Sequence, residues 1–300
     1  MNISPMLAET GDKSYLDRSD YLYEQKLDGV RCIAILNPNL AKTQLQARSG
    51  HDITAKFPEL AELHRQVAKP AILDGELMGI NFNAIQHRIH QERAFNIRIA
   101  QFQYPITYSV FDIISHDYDS LTTLPLIERK AILDKTLTES DTARLLAWRT
   151  GDGRELLERT IEQQLEGVMA KHIYSPYLVG KRSPNWLKIK NWKEATYYIC
   201  GLTEGENDRA TTFGSLILAK RVDGKLVYVG NVGSGFTQDQ LRMMLYLLEF
   251  MKGECPFEAR PDTDRPVKFW TRTELRCEVR YLEVSHNGML RFPTFRKLVK

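Results

Sequence analysis

The chain is 300 residues long, 43% hydrophobic and 26% charged, with a formal net charge of +3. That is room for two domains and at least one sizeable core in an ordinary globular composition. No run of 18 apolar residues occurs, and the opening Met-Asn-Ile-Ser-Pro-Met-Leu-Ala-Glu-Thr has neither a basic nor an apolar leader region, so the sequence argues for the cytoplasm and against secretion or membrane insertion.

The charge is unevenly placed. Residues 1–192 carry 24 Lys+Arg against 24 Asp+Glu, and residues 193–300 carry 17 against 14. The whole excess lies in the last third, a weak bias towards a polyanionic partner. The cysteines Cys32, Cys200, Cys255 and Cys277 have no CxxC spacing and read as buried small hydrophobes in a reducing compartment. The histidines His51, His64, His87, His90, His116, His172 and His286 show no paired metal spacing, and no Gly-rich phosphate loop of the Walker type is present.

In chain order, short apolar or alternating runs predict strands over Tyr21–Gln25, Val30–Leu36, Ala71–Met78, Ile106–Ile113 and Gly167–Lys171. Apolar spacing predicts helices over Phe57–Val67, Leu126–Leu137 and Glu155–Gln164, the last after a Gly-Asp-Gly turn with Asp152 at its start. Beyond Trp192 the texture changes, and the domain boundary is placed there: 1–192 and 193–300. Tyr197–Leu202 and Ser215–Lys220 alternate as strands, and Asp223-Gly224 is a hairpin turn into Lys225–Gly230. Gly233-Ser-Gly235 interrupts the sheet. Thr237 with Gln240 forms a capping box for a helix carrying Leu241, Met244, Leu245, Leu248 and Met251 on one face. Strands over Arg276–Val284 and Leu290–Phe295 follow, turned by Asn287-Gly288. Strands, one helix and more strands in this length suit a small Greek-key barrel of the OB type.

The chemistry concentrates first in Glu24-Gln-Lys26-Leu-Asp28-Gly29-Val-Arg31 at a strand end. A lysine is a nucleophile only when deprotonated, which neighbouring cations or desolvation promote. Gly29 allows a tight backbone turn, and Arg31 places a fixed cation near the phosphate that Lys26 would attack.

Lys26-x-Asp28-Gly29-x-Arg31 resembles the nucleotidyltransferase signature of ATP-dependent DNA ligases and mRNA capping enzymes. Arg48-Ser-Gly50, Asp74-Gly75-Glu76, Tyr108–Ile113, Glu166–Lys171 and Trp186–Lys190 resemble the remaining signatures, in the family's order. Ser4–Ala8 is similar to a lead-in found in many DNA ligases. Phe213–Leu216, Val229–Phe236 and Leu290–Arg296 look like the barrel of the bacterial and archaeal end-joining ligases. The sequence departs from the family at its end: the Arg-x-Asp-Lys signature is absent, which leaves Lys297 and Lys300 as candidate substitutes.

The resemblance implies an α+β fold: an adenylation domain of antiparallel sheets and flanking helices, then a β-barrel OB-fold domain. It implies a DNA ligase using ATP and Mg²⁺ (or Mn²⁺), with Lys26 carrying AMP and Asp28, Lys188 and Lys190 also catalytic. The ATP site it implies comprises Glu24, Lys26, Arg31, Arg48, Glu76, Phe111, Lys188 and Lys190. On an extended strand Glu24 shares a face with Lys26 and can accept from the adenine amino group. Glu76 can accept from a ribose hydroxyl, and Phe111 offers a stacking face worth ~1–3 kcal/mol. Glu76 and Glu166 supply the hard oxygens Mg²⁺ prefers. Arg48 and Lys171 are expected on DNA. The implied partners are nicked duplex DNA and, as a candidate, a Ku-like end-binding protein, the ligase acting as a monomer. An mRNA capping guanylyltransferase and an RNA ligase are the alternatives.

Overall fold

Alternating apolar runs separated by charged or glycine-containing turns make strand the main regular structure of this chain, and a computed structural model describes residues 2–285 and 287–299. The expectations that fell on His286 and Lys300 lie outside the described residues. The chain divides into two units, Met1–Asn191 and Trp192–Lys300.

In order, the first unit contains β1 (Leu7–Thr10), β2 (Tyr21–Gln25), β3 (Val30–Asn37), β4 (Lys42–Ala47), β5 (Ala71–Met78), α1 (Phe82–Ile89) and α2 (Ala94–Gln103). Then come β6 (Thr107–His116), β7 (Asp119–Ser120), α3 (Leu126–Thr136), β8 (Ala143–Leu145), β9 (Trp148–Thr150), α4 (Gly153–Glu162), β10 (Gly167–His172) and β11 (Arg182–Lys190). One sheet runs β1-β11-β10-β2-β9 and the other β4-β3-β5-β6-β7, with β8 beside β6. The pairs are antiparallel except β1 with β11 and β6 with β8.

Three apolar groups build this unit. Leu45, Leu73, Leu77, Tyr108 and Ile113 fill one side of the second sheet. Tyr23, Leu157, Val168 and Ile189 pack α4 on the first. Met6, Ile33, Phe111, Tyr177 and Trp186 join residues of both sheets. Two buried ion pairs pin the frame: Arg129 holds Asp112 through two hydrogen bonds of 2.9 and 2.8 Å, and Arg88 holds Glu59 at 2.7 and 2.8 Å. Removing one partner of the fully buried Arg129–Asp112 pair would strand a charge, at a cost of about 3–5 kcal/mol.

The expected helix over Phe57–Val67 is instead a series of 3₁₀ turns, Pro58–Leu60 and Leu63–Gln66 among them. The buried residues Phe57, Leu60 and Leu63 recur every third position, the period of a 3₁₀ turn, which in sequence resembles a helical stripe. α1 and α2 were not foreseen. α2 buries Ile97 and Ala100 but exposes Phe95 and Phe102, so it carries no clean stripe. α4 begins at Gly153, two residues earlier than expected, with Asp152 in the left-handed region.

The second unit contains β12 (Lys193–Thr203), β13 (Leu216–Val222), β14 (Lys225–Val232), α5 (Gln238–Glu249), β15 (Lys252–Gly253), β16 (Val267–Thr271), β17 (Arg276–Tyr281) and β18 (Thr294–Val299). Long β12 pairs β13 on one edge and both β16 and β17 on the other, and β18 continues from β17. Asp223 and Gly224, both at positive φ, make the β13–β14 hairpin. The Thr237 capping box forms: Gln240 N–H donates to Thr237 Oγ1 at 3.2 Å, and Thr237 N–H to Gln240 Oε1 at 2.8 Å. Leu241, Met244 and Leu248 then enter the core, with Leu245 and Met251 packed against it.

The last strand falls later than expected, at Thr294–Val299 and not Leu290–Phe295. Phe292 is left-handed and Pro293 has no N–H to give a ladder, so pairing resumes only after them. Leu290 makes a single bridge to Val284.

Candidate active site

The two sheets of the first unit enclose a cleft of about 490 Å³, within the range that holds a nucleotide-sized ligand. Its walls include Leu7 and Ala8 from β1, Glu24 from β2, Lys26 and Gly29 from the following turn, Arg31 from β3 and Glu76 from β5. Arg48, Phe111, Lys171, Arg182, Trp186 and Lys188 complete them, together with Phe82 and Gln86 from α1.

Lys26 follows the last residue of β2, and its N–H donates to the Gly167 carbonyl at 2.8 Å. Its Nζ donates to Glu166 Oε2 at 2.5 Å, and Lys190 Nζ lies 2.9 Å from Glu166 Oε1. One carboxylate thus spans Lys26 and a second lysine. Lys188 lies two residues before Lys190 on β11, so both face one side. Its pKa is lowered, by burial first and then by Lys190, Arg182 and Lys26, as befits a group in a cationic nook.

Gly29 has a reason different from the expected tight turn. Its φ is ordinary, but a Cβ there would stand 2.3 Å from the Leu77 carbonyl and 2.8 Å from Glu76 Cγ. The glycine lets the Lys26 turn lie directly against β5, beside Glu76.

Several expectations need correction. Arg31 does not stand as a cation reserved for phosphate, because its Nε and Nη2 donate to Asp74 at 2.5 and 2.6 Å. Its guanidinium then rests 4.6 Å from the Phe111 ring centroid. Tyr177 completes the clamp by donating to Asp74 Oδ2 at 2.6 Å. Glu24 lines the cleft at 1% exposure, hydrogen-bonded to Lys130 through Oε1 and with Oε2 2.6 Å from Lys171 Nζ. Lys171 is 2% exposed, with Nζ 4.2 Å from the centroids of both Phe111 and Trp186, so duplex DNA has no access to it. Asp28 is exposed at the turn and is not part of the cleft wall.

Arg48 is exposed at the cleft. Phe111 reaches the wall by a β-bulge: Asp74 pairs with Asp112 and Gly75 with Val110, which leaves Phe111 unopposed and turned towards Trp186. At 5% exposure it presents a narrow stacking surface. Sequence reasoning missed Phe82, Gln86, Arg182 and Lys130. Asn81 was a legible cap for α1, its Oδ1 accepting from Ala84 N–H at 2.8 Å, but nothing tied that helix to the cleft.

Among the described residues no three His, Cys, Asp or Glu side chains converge as a metal cage. Glu76, however, has its pKa raised to about 7, by burial first, with Asp74 and Glu166 raising it further against Arg31 and Lys26. Carboxylates that repel each other beside a cleft suit a dication whose remaining ligands are substrate phosphates and water. The sign for stability follows. An acid whose folded pKa lies above its unfolded value is penalised once ionised, so stability should fall as pH rises from about 4.5 to about 7 and then level. Thermal melts in chelator should show that slope, and Glu76→Gln should remove it; an unchanged slope would assign the effect to other groups.

Residues 5–190 match the model of the ATP dependent DNA ligase domain, and residues 209–300 match the ATP dependent DNA ligase C terminal region. The chain belongs to the ATP-dependent DNA ligase family. Among relatives, the multifunctional non-homologous end joining protein LigD of Mycolicibacterium smegmatis is 30% identical over 99% of this chain and 38% of its own length. The SPbeta prophage-derived DNA ligase-like protein LigB of Bacillus subtilis is 27% identical over 98% of both chains. The chain thus spans little more than a third of the LigD relatives and nearly all of LigB. The solved ligase domain of LigD from M. tuberculosis is similar at 25% identity and a TM-score of 0.56, over 99% of this chain and 95% of that one.

Proposed function

We propose that the chain is an ATP-dependent DNA ligase that seals nicks in duplex DNA through AMP bound covalently to Lys26. The observation that carries the reading is Lys26 on a nucleotide-sized cleft with Glu166 bridging it to Lys190. In the first step Lys26 Nζ, having released a proton to solvent, attacks the α-phosphorus of ATP, and the nitrogen gives up a second proton to solvent as the bond forms. A P–N bond forms, the bond to the bridging oxygen breaks, and pyrophosphate leaves with the electron pair. Lys188 and Lys190 offset the negative charge that develops. Glu166 orients the lysine, while Arg31, fixed by Asp74, shapes the floor of the site. A divalent cation held by Glu76 and Glu166 would supply further charge neutralisation on the phosphates. AMP then passes from Lys26 to the 5′-phosphate at a nick, and the 3′-hydroxyl displaces it to join the strand.

The first unit serves on this reading as the adenylation domain and the second as an OB-fold domain that grips the duplex backbone. Supporting the barrel is the bridge between Ser234 and Thr294, where Phe295 N–H donates to the Ser234 carbonyl at 2.9 Å and ties the end of β14 to the start of β18. Lys297 is an exposed residue 3.5 Å from Glu278, available for the pyrophosphate-orienting role. The M. smegmatis relative's name, an end-joining protein, makes a Ku-like DNA-end binder a further partner to test.

Two measurements test this function. ATP should support sealing of a nicked duplex and GTP should not, since the site would recognise adenine; equal adduct formation with GTP would favour a capping-type guanylyltransferase. The positive excess beyond residue 192 further predicts that a chain ending at Trp192 binds nicked DNA more weakly and with a shallower dependence on salt, because fewer phosphates are neutralised. Identical affinities and slopes would assign the grip to the first unit alone.

A further inference from the structure

On α2, Phe95, Ile99 and Phe102 are 73%, 41% and 82% exposed. With exposed Arg98 they occupy positions i, i+4, i+7 and i+3 of one helix face, away from the buried Ile97 and Ala100. An apolar stripe of this kind is costly to leave in water and marks a contact surface. Its charge decides which partner it suits. Ala94–Gln103 has no acidic residue, and across residues 79–106 Glu92 is the one carboxylate against Arg88, Arg93 and Arg98. Arg88 is buried on Glu59, whereas Arg93 and Arg98 are exposed and, among the described residues, pair with no carboxylate. A second exposed apolar helix face, Met243, Tyr246 and Phe250 on α5, differs here: Arg242 lies 4.0 Å from Asp239, and Lys252 3.8 Å from Glu249. Unmatched arginines among exposed aromatic rings suit a polyanion whose bases offer flat faces, and those faces are free where bases are unpaired. Position agrees with charge. α2 packs against α1, with Arg88 Nη1 donating to the Tyr104 carbonyl at 2.8 Å where α2 ends, and Phe82 and Gln86 of α1 line the Lys26 cleft.

We propose that α2 is a binding surface for unpaired nucleotides beside the strand break, with Phe95 and Phe102 stacking on bases and Arg93 and Arg98 holding the phosphates between them. The two phenylalanines stand two turns, about 10 Å, apart along the helix, so each takes a separate base. The inference rests on the nick-sealing function above and adds to it a substrate class: DNA with a short single-stranded stretch at the junction, as in a gapped duplex or a broken end with an overhang.

The test is equilibrium binding by the full chain, in chelator so that no strand is joined, to a nicked duplex and to the same duplex with a gap of about six unpaired thymidines. The gapped duplex should bind at least about tenfold more tightly, the gain from stacking one or two bases. Phe95→Ala combined with Phe102→Ala should bring it down to the nicked affinity and leave the nicked affinity unchanged. Because both rings are exposed, that variant keeps the core intact. Phe95→Tyr combined with Phe102→Tyr, which keeps both rings, should retain the preference. Arg98→Gln should reduce the slope of log affinity against log salt by about 0.7 on the gapped duplex. Equal affinity of the unmodified chain for gap and nick would overturn the proposal, as would a preference that survives the double alanine variant. Self-association of the unmodified chain that this variant abolishes, with no gap preference, would overturn it by assigning the face to a second copy. Failure to form Lys26–AMP from ATP would sink the ligase reading, whereas equal affinities with the adduct intact would sink this proposal alone.

Discussion

Lys26→Ala is expected to abolish the covalent AMP adduct while leaving the fold intact. Only an amine at this position can form the phosphoramide, and among the described residues no other lysine both lines the cleft and is hydrogen-bonded to Glu166. The fold should survive because Glu166 retains Lys190 at 2.9 Å, so the deletion strands no buried carboxylate. The variant should also retain sealing of a nick whose 5′-phosphate already bears AMP, since that last displacement does not use the phosphoramide. Mass spectrometry showing AMP on a different lysine, or full sealing from ATP by the variant, would refute the assignment of the nucleophile.

Glu166→Ala should lower both adenylation and sealing by about two to three orders of magnitude, the effect expected when a preorganised electrostatic group is removed. The carboxylate now separates two ammonium groups, and its loss leaves Lys26 and Lys190 facing each other without an anion between them. Lys26 would then lose the contact that fixes its direction of attack, and the two-carboxylate cation site would lose one member. Glu166→Gln, which keeps one acceptor oxygen but no charge, should recover part of the orientation and little of the cation dependence. Near-normal rates for Glu166→Ala across a range of Mg²⁺ and Mn²⁺ would make Glu166 structural.

The strands of the site were legible because their apolar runs are bounded by charge and glycine. β2 and β5 fall where the alternation places them, at Tyr21–Gln25 and Ala71–Met78. The Thr237 capping box was legible for a similar reason, being a local contract between two side chains and two backbone groups. What sequence could not give was the pairing of charges. Glu24 and Lys130 are 106 positions apart, and only the packing of α3 reveals that Glu24 is neutralised before any nucleotide arrives. Arg31 and Asp74 likewise sit in different motifs, and Arg31, read as a ligand contact, is bound to Asp74. The bulge that turns Phe111 towards Trp186 depends on a register between β5 and β6 that neither strand shows alone.

The most direct test of the central claim is a pulse and chase. The protein is incubated with α-labelled ATP and a divalent cation, freed of nucleotide, and given nicked duplex without further ATP. The account predicts label on the peptide containing Lys26, its release on addition of nicked DNA, and sealed strand in amounts no greater than the label lost. Label that never forms, or that stays on the protein while strands are sealed, would contradict it.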